Sequence, residues 1–140
     1  MGYYSNVGLA MRKNDRDAFL SELMKNDDYH KYYFCDCFTD ENGNFTEDQK
    51  YVACETREVN CVNNLIIKIF IPEIKWYDIE ELFYAFMRNR KAPYKLVRIG
   101  EDIDDCEEIL YFDGENEDEE EFFYKYLFNS VELVHKINFD

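Results

Sequence analysis

Leu65 to Ile71 is the densest apolar run in the chain, rich in Ile and Phe, with Pro72 directly behind it. It includes Lys68 and is far too short to cross a bilayer, so it predicts a buried strand. A helix-like segment stands on each side of it. Before it, Ala18, Phe19, Leu20, Leu23 and Met24 form an apolar face on a helix that Asn14 or Asp15 would cap and that would run to about Lys25. After it, Ile79, Leu82, Phe83, Phe86 and Met87 follow helical spacing, with Asp78 as the cap and Glu80 and Glu81 in the first turn. Arg88, Arg90 and Lys91 fall at the end where the helix dipole favours cations, and Pro93 blocks continuation.

The rest of the chain reads mainly as strands. Tyr4 to Lys13 alternates Val7, Leu9 and Met11; Tyr32 to Phe38 is aromatic-rich; Tyr94 to Ile99 is closed by Gly100. Asp40 to Asn44 is a turn with the hairpin dipeptide Asn42-Gly43, and Tyr51 to Arg57 is the expected return strand. Further on, Ile109 to Phe112 suits a short strand, Glu117 to Leu127 a helix and Val131 to Ile137 a final strand. This order predicts an α+β fold: a ferredoxin-like βαββαβ antiparallel sheet with two helices on one face, an extra hairpin after the second strand and an acidic C-terminal extension. A plain α+β sandwich of other topology is the alternative. The length favours one domain over 1–140.

Charge is distributed very unevenly. Thirteen of the 31 acidic residues lie between Glu101 and Glu121, a stretch without Lys or Arg, and they account for most of the net charge of −15. A disordered acidic chain is ruled out by the 46% apolar and 18% aromatic content, which can supply a real core. The acidic balance argues against direct nucleic-acid binding, which needs Lys and Arg against phosphate, and against anionic membranes. It permits a basic protein partner or hard cations. The opening ten residues carry no secretory signal pattern, and five Cys without such a signal suggest reduced thiols, so the expected location is cytoplasmic.

Catalytic and metal motifs are absent from the pattern. Asp40, Asn42 and Asn44 resemble the start of a calcium loop, but Phe45 stands where its glycine belongs and Gly43 falls two positions early. Cys35, Cys37, Cys54 and Cys61 are not spaced as zinc ligands usually are, although Cys35 and Cys37 would share one face of a strand. His30 in a polar turn and His135 on a strand have no nucleophile beside them, and the five Gly form no phosphate loop. The expectation is therefore no enzyme and no cofactor.

Two readings of the acidic run compete. One is a solvated loop that only keeps a structural, assembly or oligomeric protein in solution. The other is mimicry: a rigid carboxylate array can occupy a Lys- and Arg-lined groove that would otherwise hold nucleic acid. The candidate contacts are Glu101, Asp102, Asp104, Asp105, Glu107, Glu108, Glu115, Glu117, Asp118, Glu119, Glu120 and Glu121, with Phe122 as an adjacent aromatic anchor. A zinc- or metal-binding protein is the third alternative.

The opening Met1-Gly-Tyr-Tyr-Ser5 with Val7 and Leu9, and Tyr94 to Glu101 running into Asp104-Asp105 and Glu107-Glu108, resemble a group of small acidic phage and prophage proteins. That resemblance implies a phage or mobile-element origin. Such proteins are similar in character to anti-CRISPR inhibitors, several of which imitate DNA in the groove of a CRISPR effector nuclease. The analogy implies a host nuclease as partner, with host-defence evasion as the role.

Overall fold

The computed structural model describes residues 3–46, 52–59, 64–102, 104–113, 121, 131–134 and 136–139. Its centre is an antiparallel sheet of five strands in the spatial order β2-β3-β1-β4-β5. These are β1 (Ser5–Arg12), β2 (Ala53–Val59), β3 (Asn64–Ile74), β4 (Tyr94–Ile99) and β5 (Cys106–Tyr111). Among the described residues three helices accompany them: α1 (Lys13–Leu23), α2 (Tyr33–Asp36) and α3 (Glu80–Asn89). The fold class is α+β.

The period-2 pattern of β1 sets the layers. Val7, Leu9 and Met11 are opposite Ile71, Ile69 and Ile67 of β3, and Leu9 and Met11 are also opposite Leu96 and Tyr94 of β4. All eight are fully buried and belong to the main core. Phe19 of α1 joins the helices over this face, with its ring 5.5 Å from Phe34, 5.3 Å from Phe83 and 5.4 Å from Phe86. Such ring pairs each add roughly 0.5–1.5 kcal/mol beyond area burial. On the other face Ala10 and Val97 are also fully buried, beside Lys68 and Lys95. Those two ammonium groups sit 3.2 Å from Glu55 and 3.3 Å from Glu108. Burial of this kind is tolerable only with such partners.

Several sequence expectations need correction. Tyr32 to Phe38 is helical: a 3-10 turn at Tyr29–Lys31 leads into α2. Aromatic content suggested a strand there, yet Phe34, Cys35 and Phe38 are all buried, a helical spacing that an alternating strand would split between faces. The turn at 40–44 exists, with Gly43 at φ +80° and the Asp40 carboxylate accepting the Asn42 and Asn44 N–H groups at 2.9 Å. Among the described residues it closes a single bridge, between Thr39 and Phe45. The return strand expected at 51–57 is β2, and it pairs with β3 instead.

The capping expectations also fail. Arg12 is the N-cap of α1 and Ile79 that of α3, each without a side-chain capping bond. Asp15 is used differently: it is buried and accepts from Arg12 Nε at 2.6 Å and from Arg90 Nε at 2.7 Å. The C-terminal end of α3 carries Arg88 as expected, and Lys91 turns the chain at φ +55° ahead of Pro93. β3 extends through Pro72 because a bulge there lets Glu73, at φ +53°, donate its N–H to Asn6 Oδ1 at 3.0 Å. The strand expected at Val131 to Ile137 is instead two, β6 (Val131–Val134) and β7 (Lys136–Phe139), paired antiparallel and lying against β1, β4 and β5. Among the described residues no helix is long and apolar enough to cross a membrane.

Candidate functional site

The first half of the acidic run is more structured than its sequence suggests. β5 begins at Cys106 rather than Ile109, which places Glu107 and Glu108 inside a strand at the sheet edge. Register then sets Arg98 of β4 directly across from Glu107. Arg98 is almost fully buried. It donates from Nη2 to Asp105 Oδ1 at 2.6 Å, from Nε to Glu107 Oε1 at 2.9 Å and from Nη1 to Ser5 Oγ at 3.1 Å. Tyr77 lies beneath its guanidinium at 5.4 Å. The guanidinium is buried and bidentate on Asp105, a strong ion-pair geometry, while the two carboxylates stay partly exposed.

Residues 100–102 and Asp105 are folded back onto the N-terminal segment. Tyr3 donates its hydroxyl to Asp105 and accepts the Asp102 N–H at 3.1 Å, while Glu101 accepts the Tyr4 N–H at 3.3 Å. Gly100 permits this approach. A Cβ there would stand inside contact distance of both the Tyr3 hydroxyl and Asp105 Oδ2. The hydrogen bond from Arg98, then that from Tyr3, hold the Asp105 carboxyl down at about 2. Burial, then the nearby Glu107 charge, push Glu80 at the start of α3 upward.

The twelve carboxylates expected to act together therefore divide. Asp105, Glu107 and Glu108 are engaged by Arg98 and Lys95. Glu101, Asp102 and Asp104 are exposed and have no ion-pair partner among the described residues. Glu121 is exposed, and Glu115, Glu117, Asp118, Glu119, Glu120 and Phe122 lie outside the described residues. Sequence reasoning missed Tyr3 and Arg98. The signal was available: alternation across a short turn aligns the last cation of one strand with the carboxylates of the next.

The cysteine alternative is placed differently from its expectation. Cys35 lies in α2 and Cys37 follows it, so the two do not share a strand face. Burial pushes both thiols up to about 12, which disfavours the thiolate a metal needs. Cys54 is half-buried beside Arg16 Nη1 at 3.6 Å, and Cys61 lies outside the described residues. Among the described residues no group of three or more His, Cys, Asp or Glu is arranged to hold a metal. His30 Nδ1 lies 3.0 Å from Asp36, and His135 falls outside the described residues.

What this geometry defines is an α+β protein in which Glu101, Asp102 and Asp104 are exposed at the turn leading into the edge strand, whose Tyr111 ring lies beneath Arg88. The chain matches no family model, no curated protein and no solved structure.

Proposed function

We propose that this chain is a binding protein of phage or mobile-element origin that inhibits a host nuclease in the host cytoplasm, with a CRISPR effector as the favoured target. Its acidic edge would enter the basic groove that otherwise holds nucleic acid. One observation carries the reading: the only cations on β4 and β5, Lys95 and Arg98, are buried beside their own carboxylates, while Glu101, Asp102 and Asp104 face outward. A bland solubilising loop would not need a turn tied down by Tyr3, Tyr4 and Arg98. A pre-set layout lowers the ordering cost of docking, and the shared sign steers a cationic groove towards it.

The test is displacement of a labelled oligonucleotide from a basic CRISPR effector nuclease at low and at physiological salt. The expected outcome is competition that weakens steeply with salt. Replacing Glu101, Asp102 and Asp104 by their amides, together with Glu117 to Glu121, should weaken it by about tenfold or more, the usual scale for losing several steering charges. Unchanged nuclease–oligonucleotide binding at low salt would remove the proposal.

We further propose that the sheet is an elaborated ferredoxin-like one. Four strands read β4-β1-β3-β2, with the connections through α1 and α3 each spanning an intervening strand, and β5 adds a fifth at the β4 edge. Central β1 amides should then exchange with deuterium far more slowly than those of β5; equal rates would contradict this order.

A further inference from the structure

Away from the acidic turn, a cleft of about 550 Å³ opens between α2 with its preceding 3-10 turn and the end of β3. That volume is within the range of side-chain and small-ligand pockets. Buried Phe34, Ile74 and Ile79 contribute its apolar wall, and Tyr4 and Tyr33 are exposed at it. Both charge signs line it. Lys75 Nζ lies 5.7 Å from the Tyr4 ring centre, Lys31 Nζ 5.0 Å from that of Tyr32, and Asp36 is held by His30. Glu73 and Asp78 are exposed, with no ion-pair partner among the described residues.

Two features point to the occupant. Tyrosines at this end of the sheet already hold cations on their faces, Lys75 on Tyr4 and Arg98 on Tyr77. A second groove of about 420 Å³ shares Tyr4 and Glu73 with the cleft and continues to Gly100 and Glu101. The apolar cleft and the acidic turn are therefore parts of one continuous surface.

We propose that this cleft receives an arginine side chain from a basic polypeptide, its stem on Phe34, Ile74 and Ile79 and its guanidinium against Tyr4, Glu73 and Asp78. Arginine fits better than lysine because its planar, weakly hydrated head stacks on rings and takes carboxylates bidentately. The inference rests on the reading of a basic protein partner and supplies its anchor point: steering by the acidic turn, then insertion next to it.

Calorimetric titration with a short blocked peptide of alternating Arg and Gly tests this, with Lys/Gly and Glu/Gly peptides as comparators. The Arg peptide should bind most tightly. Glu73→Gln with Asp78→Asn should weaken it by about tenfold, a typical loss for a desolvated charge contact. Neutralising Glu101, Asp102 and Asp104 should change it by only about threefold, as for charges at an interface rim. Lys75→Gln frees the Tyr4 face and should tighten binding, a gain that misfolding cannot produce. Equal binding by wild type and the Glu73/Asp78 variant, or a preference for the Glu peptide, overturns the proposal. If the Arg peptide binds through the cleft while the nuclease is not displaced, the target is wrong and the cleft stands. If the nuclease is displaced and the cleft variants bind peptide as wild type does, only the cleft falls.

Discussion

Arg98 is the residue through which the acidic turn becomes part of the molecule. Three of its nitrogens reach Asp105, Glu107 and Ser5, and Tyr3 closes the far side of Asp105. Because Asp105 is held at about 2 against an ordinary 3.8, its ionised form is favoured by folding. That contribution is complete above about pH 4 and is lost as pH falls through about 2. Asp105→Asn should therefore lower the urea midpoint near neutral pH, and the gap to wild type should close between about pH 4 and 2. A gap that persists undiminished at about pH 2 would show that Asp105 acts by packing alone. The residue string does not single out Asp105, which is one carboxylate among thirteen; alternation across the turn hints only that Arg98 can meet some of them. The pairing requires β4 and β5 in register, and register is a property of two strands at once.

At the scale of elements, the strands read best and the helix starts worst. β1, β3 and β4 stood out because alternation or apolar density of that kind suits few structures besides a strand. α2 did not, because Tyr32 to Phe38 has strand composition and only its packing against Phe19 selects a helical turn. Local propensity yields to burial in so short a segment. Helix α1 starts without a side-chain cap because Arg12 at the cap position has no acceptor, while Asp15 inside the first turn pairs with Arg12 and Arg90 and ties the β1–α1 corner to the end of α3. Asp15→Ala would leave two arginines facing a buried gap. It should cost roughly 2–3 kcal/mol by urea unfolding, below the full value for a buried pair because both arginines are partly exposed. A loss under about 0.5 kcal/mol, the usual range for surface substitutions, would show the bridge to be idle.

At the scale of the whole molecule, the thiols report on integrity. Cys35 and Cys37 are buried with thiols held at about 12, whereas Cys106 is exposed on the edge strand. A thiol reagent near about pH 8 should label Cys106 well before Cys35 and Cys37, which react only at the rate of core opening. Rapid labelling of Cys35 and Cys37 in the native protein would contradict the core described. What the sequence by itself determined is the class of the fold, the central strands and the concentration of charge after Gly100, since these follow from periodicity and composition along one chain. Only the tertiary structure decided which carboxylates face outward, where β2 pairs and that a cleft adjoins the acidic turn. Each of those depends on residues far apart in sequence meeting across strand pairs, and a cation such as Arg98 cancels a charge only when folding brings it there.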